Sequence, residues 1–232
     1  MTAAFCVIYS VNDSRASDSR SKRGAEGGGG RIGLIQIYLT DARALSGRRA
    51  ECLALLPPGR RREAGSFREE EDGLLCCAAG LLLRRVLGVR ADGDLVYSAQ
   101  GKPGLAGGDV QFSLSHGGSC AALAVSGQPV GVDVEPQGSP AVFPRRAFTR
   151  EELDYLERKP EDFCLLWTRL ESGLKAEGAG FAGERNFSLL HPGAPWHWES
   201  LRYGGHLITC AADSPVEARY TALSAGVLLD PL

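Results

Sequence analysis

The run QFSLSHGGSCAALAVSGQPVGVDVE, from Gln111 to Glu135, decides how this chain is built. Phe112 and Leu114 alternate with polar neighbours as a half-buried strand requires, and Ser115-His116-Gly117-Gly118 breaks the run. Cys120 to Val125 is continuously apolar and predicts a strand covered on both faces. Ser126-Gly127-Gln128-Pro129 is turn chemistry, and Val130-Gly131-Val132-Asp133-Val134-Glu135 then alternates strictly. The polar side of that last strand carries two carboxylates. Residues i and i+2 of a strand leave one face about 7 Å apart. Two carboxylates so placed repel unless a cation sits between them, and a hard divalent ion is a natural guest. The competing reading is a solvated face with two surface acids.

Composition narrows the classes. A chain of 232 residues is long enough for one large domain or two small ones around a real core. Hydrophobic residues at 44% and charged ones at 23% are ordinary for a soluble globular protein. A net charge of −2 argues against nucleic acid as the partner. No apolar run approaches the roughly 18 residues of a membrane span, and no basic segment precedes an apolar core as in a secretory signal. The seven cysteines include no C-x-x-C pair, and Cys76 and Cys77 are adjacent on an expected helix. Reduced thiols in a cytoplasmic protein are the expectation.

Outward from the opening stretch, Phe5 to Val11 could be a first strand, and Asn12 to Gly30 is too rich in Ser, Asp, Arg and Gly to bury a core. That segment, 12–30, is expected to be a mobile loop. Leu34 to Leu39 predicts a strand, and Asp41 to Leu55 a helix stopped by Pro57-Pro58-Gly59. A basic cluster, Arg60-Arg61-Arg62, follows. Arg68 to Val86 has a helical pattern with acids at its start, Arg84-Arg85 at its end and Gly88 as a stop. Asp94 to Tyr97 predicts a short strand, and Gln100-Gly101-Lys102-Pro103 a turn. Past Glu135, Thr149 and Glu152 form a capping box and open a short helix. Glu161 to Glu177 is the longest helix of the second half, and Trp167, Glu171 and Lys175 share one of its faces at i, i+4 and i+8. Phe187 to Leu190, Trp196 to Tyr203, His206 to Ala211 and Tyr220 to Leu228 predict strands of a terminal antiparallel sheet, with a hairpin at Gly204-Gly205. His191, His197 and His206 have no metal-ligand spacing and are expected to be structural or on the surface. The chain is thus α+β in two halves of similar content, 1–127 and 128–232.

Four short signals occur in order: G-K-P at 101–103, F-S-L-S-H at 112–116, G-V-D-V-E at 131–135 and W-x-x-x-E-x-x-x-K at 167–175. In this order and spacing, over roughly residues 32–212, the chain resembles the 4′-phosphopantetheinyl transferases, and among them the larger class that activates peptide and polyketide synthases. The resemblance implies a pseudo-twofold pair of α+β subdomains with coenzyme A in the cleft between them. It also implies transfer of phosphopantetheine from coenzyme A to a serine of an acyl or peptidyl carrier protein, in secondary-metabolite or fatty-acid biosynthesis, by a monomer. On the family's pattern Asp133, Glu135 and Glu171 would hold Mg²⁺, and Glu171 would be the base for the incoming serine, directly or through a metal-bound water. His116 and Lys175 would contact coenzyme A phosphates, with Ser115 a turn or phosphate contact. Lys102, Pro103 and Arg60 would lie near the nucleotide.

Displacement at a diphosphate independently favours such residues, because its catalysis is mostly positioning and neutralisation of negative charge. Two departures stand out. The family's usual lysine before the helix glutamate is Leu170 here, so a Leu170→Lys exchange is expected to leave activity equal or higher. Gly173 also sits mid-helix, at a cost of about 1 kcal/mol relative to alanine. The competing functions are a non-catalytic relative that binds coenzyme A or a carrier, and a metal-dependent phosphohydrolase using the same carboxylates.

Overall fold

The structure is a computed structural model that describes residues 6–8, 33–108, 110–138, 145–178, 185–191 and 195–231; the 12–30 segment lies outside them. A short strand β1 (Cys6–Ile8) is followed by β2 (Gly33–Asp41), where Ile35, Ile37 and Leu39 are wholly buried on alternate positions. The expected 41–55 helix is two pieces, a 3₁₀ turn at Ala42–Leu45 and α1 (Arg49–Leu55), because Gly47 turns the chain with φ 72°. Pro58 does more than end a helix. It sits in the first turn of α2 (Pro58–Ser66), where a missing N–H costs nothing, and α2 carries the arginine cluster. Helix α3 (Glu70–Leu87) begins with three acids and ends in left-handed Gly88, whose N–H caps Arg84 O. Residues 73–84 of α3 are all buried, so it is the central helix of its layer.

A two-stranded ribbon, β3 (Leu95–Tyr97) and β4 (Pro103–Leu105), precedes the hairpin of β5 (Gln111–Gly117) and β6 (Cys120–Ser126). Strand β5 runs through Ser115-His116 rather than breaking there, and the turn falls at Gly118, with φ 54°. After β7 (Val130–Pro136) come α4 (Arg150–Arg158), opened by the expected Thr149–Glu152 box, and α5 (Phe163–Glu177), which a 3₁₀ turn at Pro160–Asp162 precedes. The hairpin of β8 (His197–Tyr203) and β9 (His206–Ala212) turns on Gly204 and Gly205, both at positive φ. β10 (Val216–Ala222) and α6 (Ala225–Leu229) follow.

The sheets have the orders β1-β10-β2-β6-β5 and β7-β9-β8. One apolar core lies between these two sheets, joining Ile35, Ile37 and Leu39 to Val130, Val132, Val134 and Ile208. A second lies between the five-stranded sheet and α1, α3 and α6. A third lies under α4 and α5 against the three-stranded sheet. The fold is therefore mixed α+β, four layers deep. The same connectivity occurs twice: a strand (β2 or β7), helices, then a hairpin whose second strand pairs antiparallel with the first strand.

Two expected strands are corrected. Phe187 to Leu190 forms no strand, because its backbone is satisfied by side chains. Leu189 donates its N–H to Glu152 Oε1 at 3.0 Å, and its carbonyl accepts from Arg169 at 2.9 Å. Tyr220 to Leu228 splits into the end of β10 and α6. β10 leaves the terminal hairpin and pairs in parallel with β2, setting Ala218 beside Ile35 and Tyr220 beside Ile37. Burial explains the choice: Tyr220 is wholly enclosed between the sheets.

Candidate functional site

The site is built where α5 lies on β7. Val130, Val132 and Val134 point into the core between the sheets, so Gly131, Asp133 and Glu135 face the other way. Gly131 makes the approach possible: a Cβ there would stand 1.8 Å from Ser172 O and 2.6 Å from Ala176 N, so the strand rests against the helix backbone itself. The shared helix face then meets the acidic strand face. Trp167 donates its indole N–H to Glu135 Oε1 at 3.0 Å, and Lys175 Nζ lies 2.6 Å from Asp133 Oδ1. Ser115, from β5, completes the group, donating to Asp133 Oδ1 at 3.0 Å and accepting from Lys175 at 2.9 Å.

These carboxylates are no solvated surface pair. Asp133 is only 3% exposed, and its Oδ2 is buried without a hydrogen-bond partner among the described residues. Burial, followed by the like charge of Asp133, raises the Glu135 pKa; the Trp167 bond and Lys175 oppose it. Burial also pushes Glu171 up to about 7, with Asp133 and Glu135 adding to the rise and Lys175 opposing it. Among the described residues the Glu171 carboxyl has no hydrogen-bond or ion-pair partner.

A cavity of about 290 Å³ opens beside this group. Its walls are the 100–103 turn, Phe112 to Leu114 of β5, and Glu171, Leu174, Lys175 and Gly178 at the end of α5. Of the residues singled out in the sequence, Lys102, Pro103, Glu171 and Lys175 line it, and Asp133 and Ser115 stand directly behind Lys175. The Lys102 ammonium, however, is bonded to the carbonyls of Val130 and Ala176. His116 lies beyond the cavity, on an exposed edge of β5. Crowding by protein lowers its pKa, and the charges of Lys175 and Arg60 push the same way, so the imidazole is held toward its neutral form in the neighbourhood of those two cations. Arg60 forms an ion pair with Glu63 at 3.8 Å.

As the side chains stand, no three His, Cys, Asp or Glu residues among those described are grouped to hold a metal ion. The donor chemistry nonetheless fits a hard divalent cation. Two elements supply three carboxylates, one buried oxygen among them is unpartnered among the described residues, and burial, with like-charge repulsion adding to it, raises two of the three. Lys175 is the cation paired with them among the described residues.

Leu170 is not a vacated lysine position facing the site. It is 2% exposed in the core under α4 and α5, so the expectation that Leu170→Lys is harmless is reversed. Gly173 also has a packing reason: a Cβ would come within 2.7 Å of the Phe187 ring. Sequence reasoning missed Arg185, which pairs with buried Glu152 at 2.6 Å, and the Ser115 bridge. His206 is structural as expected, accepting the Ser119 N–H at 3.2 Å and so tying the β5–β6 turn to β9. The described cysteines, Cys52, Cys76, Cys77, Cys120, Cys164 and Cys210, are free thiols. No helix among the described residues is long and apolar enough to cross a membrane.

No curated protein matches the chain. A family model described as 4′-phosphopantetheinyl transferase superfamily matches residues 129–211, the span from the start of β7 nearly to the end of β9, which contains Asp133, Glu135, Glu171 and Lys175.

Proposed function

We propose that the protein transfers phosphopantetheine from coenzyme A to a serine of an acyl or peptidyl carrier protein, with Mg²⁺, as a member of the larger, two-halved class. One observation carries the reading. Two acids of β7 are bonded to Trp167 and Lys175 of α5, whose Glu171 and Lys175 line a cavity, within the span that matches the family. The repeated strand connectivity supports a pseudo-twofold pair of subdomains, with the cavity between β5 of one and α5 of the other. Such a cleft forms within one chain, so a cytoplasmic monomer would suffice.

In the reaction the carrier's serine oxygen attacks the phosphorus that bears the pantetheine arm. A new P–O bond forms, the P–O bond to adenosine 3′,5′-bisphosphate breaks, and Glu171 takes the hydroxyl proton. Asp133, Glu135 and Glu171 would hold the divalent cation, which would supply charge neutralisation at the diphosphate. Lys175, at the cavity rim, meets phosphate oxygens; Arg60 supplies further positive charge, and His116, its imidazole held toward the neutral form, donates a hydrogen bond to a phosphate oxygen. Trp167 orients Glu135, and Ser115 orients Asp133.

The test is the intact mass of an apo carrier protein after incubation with the protein, coenzyme A and Mg²⁺. A gain of one phosphopantetheine, abolished by chelation, is expected. Binding of coenzyme A with no gain on any of several carriers would make the protein a non-catalytic relative. Cleavage of coenzyme A without a carrier would make it a phosphohydrolase.

A further inference from the structure

Lys102 stands on the turn between β3 and β4, yet its ammonium is engaged elsewhere. It donates to the carbonyl of Val130, the first residue of β7, at 3.3 Å and to that of Ala176, in the last turn of α5, at 3.1 Å. The Ala176 carbonyl is one of the four that a helix leaves without an intrahelical donor, at the end where its dipole favours a cation. An ammonium has three donors, and two are committed to this seam. The surroundings make room for the stem: a side chain on left-handed Gly178 would come within 3.1 Å of Lys102 Cδ. Burial lowers the Lys102 pKa, in keeping with a group drawn out of water.

We propose that Lys102 is a positioning residue that clamps the end of α5 to the start of β7 and thereby fixes Lys175 and Glu171 against Asp133. Ala176 adjoins Lys175, and Val130 lies three residues before Asp133 on the same strand. An ammonium held on those two carbonyls therefore sets the height of the helix along the strand. The clamp comes from the cavity's opposite wall, so it also fixes the cavity's width. The clamp stands on its geometry, and its effect on turnover rests on the transferase reading.

Lys102→Met keeps the stem and removes the donors, and three readouts test it: amide hydrogen exchange of α5, coenzyme A binding by calorimetry, and kcat and KM on an apo carrier. The clamp predicts exchange at residues 174–178 faster by about tenfold or more and kcat lower by roughly tenfold to a hundredfold, with coenzyme A Kd and KM within about threefold of wild type. Kd and KM raised tenfold with exchange and kcat unchanged would overturn it and make Lys102 a phosphate ligand. Lys102→Gln separates the roles even where Lys102→Met does not fold, because it keeps a donor and loses the charge. The clamp expects normal KM and a smaller loss of kcat, whereas a phosphate ligand expects raised KM. Should the wild type modify no carrier, the transferase reading fails, and exchange and coenzyme A binding still decide the clamp.

Discussion

Glu152 shows how much one carboxylate can organise. It is 1% exposed and takes N–H donors from Thr149 at 2.9 Å, Leu189 at 3.0 Å and Arg185 at 2.6 Å. Burial alone would raise its pKa, but the Arg185 guanidinium and the two backbone donors outweigh it and hold the carboxyl below its usual value. A depressed folded pKa stabilises the fold fully above the unfolded value, near 4.3, and that stability is lost as pH falls through the folded one. Glu152→Gln should therefore cost about 3 kcal/mol at pH 7, since Arg185 is left buried without its counter-charge. The gap to wild type in urea unfolding should narrow below about pH 4.3; a gap constant down to pH 3 would refute the linkage. Leu170 is the apolar counterpart. A lysine there would desolvate an ammonium in a packed core, and we expect a loss of about 4 kcal/mol. A melting temperature within a degree or two of wild type would show that the side chain escapes to solvent.

Among the elements, α5 and β7 have to meet with ångström accuracy, and glycine sets their spacing. Gly131→Ala places a methyl group 1.8 Å from the Ser172 carbonyl, and that carbonyl belongs to helix backbone that cannot rotate away. The helix must lift, at a cost of about 1–3 kcal/mol for overpacking. A shift near 1 Å at Glu171 and Lys175 should lower kcat by roughly a hundredfold. Wild-type turnover in a stable Gly131→Ala protein would mean that the spacing is not critical. At this scale the sequence was informative where periodicity and chemistry coincided. The i, i+4, i+8 face of α5 and the i, i+2 acids of β7 were legible, and the structure joins them through Trp167–Glu135 and Lys175–Asp133. Contacts that depend on long-range placement were not. Lys102 reaches carbonyls 28 and 74 residues further along the chain, and no local pattern encodes a donor's distant acceptor. Gly131 read as one beat of an alternation, because the need for a missing Cβ comes only from the helix laid across it.

At the scale of the whole molecule the two halves are interleaved by the last strand. β10 hydrogen-bonds in parallel to β2, and Leu223, Val227, Leu228 and Leu229 then enter the core against α1 and α3. Alternation could locate such a strand but not its neighbour, since a half-buried strand has the same pattern in either sheet. The consequence is mechanical. The chain leaves the first layer for β7, α5 and β9, then returns to seal that layer with β10 and α6. Removing residues 213–232 would strip β2 of its parallel neighbour and uncover Ile35, Ile37, Leu81 and Leu82, all wholly buried now. The truncated protein should lose cooperative unfolding in urea and bind a hydrophobic dye, rather than leave a folded second half with a frayed first one. A sharp, single transition in the truncated chain would show that β10 and α6 only cover a core already complete without them.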